Sequence, residues 1–425
     1  MPDSLWNGEF RTLEFFPVLV QPIWDFPDEV PVLKSDDVPV WGLPLDNAVE
    51  QMARCAADAE YAALMADHHL GYAVPIGGVL AYRDKVSPSA VGFDIACGNK
   101  AICLDVDARE VQANIVEIMD EIFAVISFGI GRKNPEPVDA ELFAAATWDD
   151  IPVAGSLKDM AHAQLGTVGS GNHYVDLFID DRDAVWIGVH FGSRGLGHKL
   201  ATHFIKAGGG KDGMHVAPVL FDMGSELGQQ YWACMELAGE YAYAGRDWVC
   251  DRVAQIVGGS VVSEVHNHHN FAWRERHHDQ DLVVIRKGAT PCQPGQRSFV
   301  GGSMGDISVI IEGVQSRESA GTLYSTVHGA GRVMSRTQAA GRKRWRRGKR
   351  QLKSEGQISR AMMTQWIEEF NQVELRGAGT DESPHVYKRL PEVLAFHRET
   401  IEIVRTLMPI GVAMAAADEF DPYKD

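Results

Sequence analysis

An α+β fold, with mixed and antiparallel sheets flanked by helices in one large domain, is what the sequence predicts. Three observations carry that prediction. Stretches of strand and helix character are interspersed, without the regular alternation that builds a parallel α/β sheet. No internal repeat and no long linker divides the 425 residues. The residues best suited to chemistry are scattered from Asp94 to His328, so they meet only if most of the chain folds together. Length alone would allow two or three domains. The scatter decides for a single domain over residues 1–425.

Residues 1–40 read as N-terminal strands, because 10–33 alternate Phe, Leu, Val and Ile with polar residues and prolines. Asp46 and Asn47 are capping types, and Val49, Met52, Ala53 and Ala56 recur at helical spacing, predicting a helix from Asp46 to about Met65. A glycine-rich connection into a strand follows from Asp67-His68-His69 to Gly78. Its two histidines are either ligands or substrate contacts, or part of a solvated turn. Val111, Ile115, Ile118, Met119 and Ile122 give an amphipathic helix over 110–128, and the Pro- and acid-rich 133–155 reads as a surface excursion. A long helix is expected over about 216–257, with Leu220, Met223, Leu227, Trp232 and Met235 as its apolar stripe. Further helices are expected over 357–373 and 390–408.

The bulk composition is that of an ordinary soluble protein, 45% hydrophobic and 23% charged. No apolar run is long enough to span a bilayer and no basic-then-apolar leader opens the chain, so the expectation is a cytoplasmic protein. The cysteines at 55, 97, 103, 234, 250 and 292 form no CxxC pair and no framework, which argues against disulfides. A net charge of −18 argues against a dedicated nucleic-acid binder. One segment opposes that sign. Residues 342–353 place eight cationic side chains in twelve positions, including Arg342, Lys343, Arg344, Arg346 and Arg347 around Trp345. Such a run is either a solvated loop or a basic surface arm that tracks phosphates, with Trp345 free to stack on a base.

The run Val91-Gly-Phe-Asp-Ile-Ala-Cys-Gly98 carries one carboxylate and one thiol, three residues apart. In an extended strand they would face opposite sides, so convergence needs a bend, which glycines at 92 and 98 permit. A carboxylate and a thiolate together can ligate one divalent metal, and a thiolate can bridge two. Alternatively Cys97 is a small apolar filler of a buried strand. Three other stretches set His or Ser beside glycine, Gly169-Ser-Gly-Asn-His173, Val189-His190-Phe-Gly-Ser-Arg-Gly195 and Val327-His328-Gly-Ala-Gly-Arg332, and a fourth, His266-Asn-His-His-Asn270, gathers three histidines. A fifth, Gly301-Gly-Ser-Met-Gly305, lacks the histidine. Amides beside glycine form anion-binding nests, and imidazoles hold metals. The combined inventory suits metal-assisted phosphoryl or nucleotidyl transfer.

In this order, VGFDIACGNK, TVGSGNHYVDL, GVHFGSRGLGH, HHNF, RKGAT, GGSMG, HGAGR with MSR, and ESPHVYK resemble the RtcB family of RNA-splicing ligases, from about Trp41 to residue 414. The resemblance implies one central site with two manganese ions bridged by Cys97. Asp94 and His173 would complete one ion's ligands, and His190 and His269 the other's. It implies His328 as the nucleophile that takes GMP from GTP. Asn172, Asn270, Gly301, Gly302, Ser303, Met304, Ser308, Gly329, Ala330 and Gly331 would seat the nucleotide. The implied substrates are RNA 3′-phosphate or 2′,3′-cyclic phosphate ends and 5′-hydroxyl ends, such as tRNA halves or broken RNA. Alternatives are an enzyme that caps or repairs 3′-phosphate ends, or a protein that binds RNA ends without turnover. The need for an activating protein, and the choice between monomer and homodimer, stay open. Several residues depart from the family pattern: Ala66 for a proline, Lys100 for an arginine, Phe191 for a serine. Met414 stands where many members carry a lysine that contacts the nucleotide, with Lys424 ten residues on.

Overall fold

The computed structural model describes residues 33–35, 38–346, 349–370 and 372–417. The strands expected over 10–33, up to residue 32, and Lys424 lie outside those residues. Two sheets organise the fold, and it is α+β as expected. The first runs, edge to edge, through Leu33–Ser35, Val38–Val40, Tyr61–His69, Ile76–Tyr82, Gln280–Lys287 and Asn270–His277. The second runs through Ser260–His268, Gly98–Asp105, Val185–Phe191, Tyr174–Asp180, Ile401–Ala416, Ser308–Gly313 and Arg297–Val300, with Glu374–Ala378 added in parallel to Ile401–Ala416. Most neighbours are antiparallel.

The principal helix, Glu226–Val257, starts about ten residues later than expected, past the first stripe residues Leu220 and Met223. Ser225 caps it by accepting from Gly228 N at 3.1 Å, and Gly258, with φ 88°, ends it in a left-handed conformation. Its buried face carries Tyr231, Met235, Leu237, Val249 and Val253. At Gly245 it approaches the second sheet so closely that a Cβ would lie 3.3 Å from the Phe191 ring.

Three expected helices differ in the structure. The one beginning at Asp46 ends at Ala56, and Tyr61–His69 is instead a strand paired with Ile76–Tyr82. Its alanines, Leu64 and Met65 favour helix locally, but both faces of the strand are buried, and packing overrides weak propensity. The stretch 390–408 holds only the short helix Leu390–Ala395. From Ile401 the chain runs extended for 16 residues, where Ile401, Ile403, Val404 and Thr406 supply β-branched character. The helix over 110–128 is two, Ala108–Ala113 and Ile115–Val125, hinged at Asn114. In the region 357–373 the helix spans Arg360–Phe370. Within 342–353 the described residues are strands, Arg342–Arg346 pairing antiparallel with Lys349–Ser354, and Arg347 lies outside the described residues.

All six cysteines are free and buried. Among the described residues no helix is long and apolar enough to cross a membrane.

Candidate active site

The Asp94–Cys97 segment is a tight bend between the short helix Pro88–Val91 and the strand Gly98–Asp105. Gly92 (φ 94°) and Ala96 (φ 59°) take the left-handed conformations, and Cys97 N donates to Asp94 O at 3.1 Å. Gly98, expected to supply the bend, serves a different need: a Cβ there would lie 2.2 Å from Asn267 O. The bend brings the carboxylate and the thiol to one side.

Cys97 Sγ lies 3.1 Å from His190 Nε2 and 3.6 Å from His173 Nε2, and His173 Nε2 lies 3.0 Å from Asp94 Oδ2. His190 and His269 cross at 5.1 Å between ring centroids, and His269 and His328 at 4.9 Å. The ligand atoms therefore fall into two sets sharing Cys97. Asp94, Cys97 and His173 form one and Cys97, His190 and His269 the other, each within 4.8 Å. Glycine clears the space: a Cβ at Gly192 would lie 2.3 Å from Asp94 Oδ1, and one at Gly169 would lie 2.0 Å from His173 Nδ1.

The donor set fits divalent cations. Burial holds His190 and His269 well below the usual imidazole range, helped by neighbouring imidazoles, so both are neutral donors. Burial would raise the Asp94 carboxyl, but the His173 hydrogen bond and charge outweigh it and leave Asp94 below its ordinary value. Burial pushes the Cys97 thiol well up, and the Asp94 charge adds to this. Only a positive charge beside it would make a thiolate favourable there. Nδ1 of His173 and of His269 is buried with no hydrogen-bond partner, a state that costs energy unless something else fills it.

Strand alternation explains the His266–His269 cluster. His269 reaches the thiol side, whereas His266 and His268 face away and meet Arg246. Arg246, wholly buried in the long helix, donates to His266 Nε2 (2.8 Å), to Ala96 O (3.1 Å) and to Phe191 O (2.5 Å), and contacts His268 Nδ1 at 2.9 Å. It ties the Cys97 bend to the His190 strand. No motif marks it in sequence, since a lone arginine in a helix reads as a surface residue.

The other residue missed was Asp67. Its Oδ2 lies 2.6 Å from His328 Nδ1 and accepts from His328 N at 2.9 Å and Gly329 N at 3.3 Å. Burial would raise Asp67, but the adjoining His328 more than offsets that and holds it below the ordinary carboxylate value. The motif Asp67-His68-His69 draws attention to its histidines, which are not in a solvated turn. His68 is fully buried, accepts from Leu45 N at 3.1 Å and contacts Met65 O at 2.7 Å. Burial lowers it to about 4 and His69 to about 3.

The glycine-rich segments converge as well. Gly301 bridges Gly329 in parallel. Gly302 N donates to Ser308 Oγ at 3.0 Å, and Asp306 N to Ser303 O at 2.9 Å, which shapes the 301–308 loop. Met304 and Ala330 are buried. Asn270 donates to Asp94 O at 3.2 Å and accepts from Gly288 N at 2.7 Å, so both ends of its amide fasten backbone. Asn172, half-buried, adjoins His173.

A family model described as tRNA-splicing ligase RtcB matches residues 48–150 and 145–415. The chain belongs to the RtcB family. It is 30% identical to the RNA-splicing ligase RtcB of Escherichia coli K12, over 89% of this chain and 98% of that one. To the tRNA-splicing ligases RtcB of Thermococcus kodakarensis and Archaeoglobus fulgidus it is 30% and 31% identical, covering 89% and 86% of this chain and 93% and 91% of theirs. The departures from the RtcB pattern are accommodated in the fold. Lys100 is buried between Asp247 (2.6 Å) and Glu264 (2.9 Å). Phe191 packs under Gly245. Met414 is buried opposite Tyr174 on the strand pairing that borders the 301–304 segment.

Proposed function

We propose that this protein is an RNA ligase that joins 3′-phosphate or 2′,3′-cyclic phosphate ends to 5′-hydroxyl ends, using GTP and a covalent histidine–GMP intermediate on His328. The observation that carries this reading is the Asp67–His328 contact. A carboxylate on Nδ1 fixes the ring and leaves Nε2 as the free nitrogen, which is how an imidazole is prepared to attack. The Gly329–Gly331 and Gly301–Met304 backbone, held side by side, offers amides for the phosphates of the nucleotide.

Asp94, Cys97 and His173 would hold one manganese ion, and Cys97, His190 and His269 the other, with Cys97 shared. When bound, two divalent cations neutralise the oxygens of the phosphate under attack and of the departing pyrophosphate. Asp67 orients His328 throughout. The bond formed is His328 N–P, the bond broken is the α–β phosphoanhydride, and pyrophosphate carries the electron pair away. A 2′,3′-cyclic end would first be opened by water, its P–O2′ bond breaking to give the 3′-phosphate. A 3′-phosphate oxygen would then take GMP as the His328 N–P bond breaks. Attack by the 5′-hydroxyl oxygen on the RNA phosphorus would expel GMP, with the hydroxyl proton released. Turnover rather than binding alone is supported by the second job of Asp67, whose carboxylate faces the His328 ring as well as the two loop amides.

The test is incubation with manganese and α-labelled GTP or ATP, without RNA, followed by denaturation. Label is expected on the chain, lost in acid and kept in alkali as for a phosphoramidate, and absent from His328→Ala, whose metal content should be unchanged. Label retained by His328→Ala would remove the nucleophile assignment. Failure of the wild type to label with either nucleotide would favour a non-catalytic RNA-end protein.

A further inference from the structure

We propose that the paired strands Arg342–Arg346 and Lys349–Ser354 form an RNA-binding arm that grips the phosphate backbone of one substrate strand several nucleotides back from the end being joined. The inference rests on the RNA-joining function proposed above and adds what that site needs of its substrate: a body long enough to reach the arm.

The arm's charge is the first observation. Arg342, Lys343, Arg344, Arg346, Lys349, Arg350 and Lys353 are concentrated here in a chain of net charge −18. Such a contrast favours a polyanionic partner over a generally basic surface. The pairing register is the second. Arg346 stands opposite Lys349 and Trp345 opposite Arg350. Like charges placed directly across a two-stranded ribbon weaken it. A hairpin whose only purpose was structural would gain by losing them.

The third observation is where the arm is rooted. Gly341 has φ 77°, and a Cβ there would lie 2.3 Å from Ser354 O, so the two strands spring from a closed base. Arg342 N donates to Ser354 Oγ at 3.2 Å, and Gln357 N and Ile358 N donate to Gln338 O and Ala339 O at 2.9 and 3.0 Å. The preceding turn of helix, Arg336–Ala340, is closed by a capping box between Ser335 and Gln338. Its Arg336 Nε lies 2.8 Å from Glu382 Oε1, and Glu382 Oε2 lies 3.1 Å from Arg332 Nη1, in the loop that follows His328. The same Arg336 guanidinium rests on Gly171, where a Cβ would lie 2.6 Å from Nη2. Gly171 precedes Asn172 and His173. The root of the arm is therefore braced against the loops that carry His173 and His328. Five residues at about 3.4 Å each make an arm about 17 Å long. It is anchored beside the site, and its length is that of several nucleotides of RNA backbone.

The test compares RNA of about 20 nucleotides with RNA of about three, both ending in a 3′-phosphate, at about 50 to 200 mM salt without nucleotide or metal. The variant Arg342→Gln, Lys343→Gln, Arg344→Gln, Arg346→Gln should bind the long RNA at least tenfold more weakly at low salt. Its log–log salt slope should be shallower by about 0.7 for each phosphate no longer neutralised. Binding of the short RNA and the thermal midpoint should stay as in wild type. Lys349→Glu puts a carboxylate opposite Arg346, which favours the pairing, so it should keep or raise the midpoint and still weaken the long RNA. Unchanged slopes, or equal weakening for long and short RNA, would overturn the arm and leave an acidic protein as the partner its charge fits. The two readings fail separately. Wild type that neither labels with GTP nor joins ends, but whose slope falls in the variant, loses the ligase function and keeps the arm. Labelling and joining with an unchanged slope has the opposite meaning.

Discussion

Asp67 and His328 are separated by 261 residues in the chain, and their side chains meet at 2.6 Å. One comes from a buried strand of the first sheet and the other from the loop that follows Val327. The carboxylate also accepts from the two backbone amides that begin the glycine loop, so it sets both the ring and the loop. Asp67→Asn should still accept from those amides but no longer present a charge to Nδ1. We expect the rate of self-labelling by GTP to fall by about 100-fold or more, the scale on which orienting an imidazole matters. Metal content should hold. Labelling within a few-fold of wild type would mean that His328 needs no orienting carboxylate.

The sharing of Cys97 by two donor sets makes the metal content of variants informative. Cys97→Ala removes an atom common to both sets and should lose both ions. His190→Ala removes a donor from one set and should keep about one ion per chain. Elemental analysis after dialysis reads this directly, independently of activity. Full occupancy in Cys97→Ala would exclude a bridging thiolate.

Away from the site, Glu275 gives a prediction about acid stability. Burial would raise its carboxyl, but Arg286, at 2.7 Å and fully buried, with His277 at 2.6 Å, lowers it to about 2 from an ordinary 4.5. A depressed carboxyl stabilises the fold above its unfolded value and loses that contribution as pH falls toward its folded value. Glu275→Gln should therefore unfold more easily than wild type at pH 7, by roughly 3 kcal/mol. The difference should shrink below about pH 4.5 and vanish near pH 2. A difference independent of pH would mean that shape rather than charge is what Glu275 contributes.

How much of this is legible without the fold depends on whether a residue's role is local. Asp94, Cys97, His173, His190 and His328 lie in glycine-containing motifs, which report a crowded backbone, and His269 lies in a histidine cluster. Those motifs mark the stretches, the resemblance to the RtcB family picks the residues within them, and the structure brings them together. His269 is separable from His268 only through the resemblance, because the RtcB motif sets the histidine directly before the asparagine, and strand alternation shows why adjacent histidines serve different sides. Asp67 and Arg246 escape a sequence reading because their work is defined only by partners far along the chain. Ile401–Ala416 and Tyr61–His69 read in part as helix for the same reason: their local propensity is ambiguous, and pairing in the interior of a sheet decides it.

Arg246 makes the last and most demanding prediction, because it touches no proposed ligand by side chain except through backbone and neighbouring rings. It is a cation with no exposure, and burial lowers its pKa. Its partners are the carbonyls of Ala96 and Phe191 and the rings of His266 and His268. Three of these adjoin the donor set in sequence: Ala96 precedes Cys97, Phe191 follows His190, and His268 precedes His269. Removing Arg246 leaves two buried carbonyls without their donor and frees three backbone segments to drift. Arg246→Met, which keeps much of the side-chain volume, should destabilise the fold by about 2–5 kcal/mol. It should also weaken metal binding by about 10- to 100-fold, the scale on which residues supporting the ligands matter. Arg246→Lys keeps the charge but cannot reach four acceptors from one planar group. It should therefore recover part of the stability and little of the metal affinity. Thermal unfolding with and without manganese separates the two effects. If Arg246→Lys restores metal affinity in full, charge rather than the fork of hydrogen bonds is what holds the Cys97 bend.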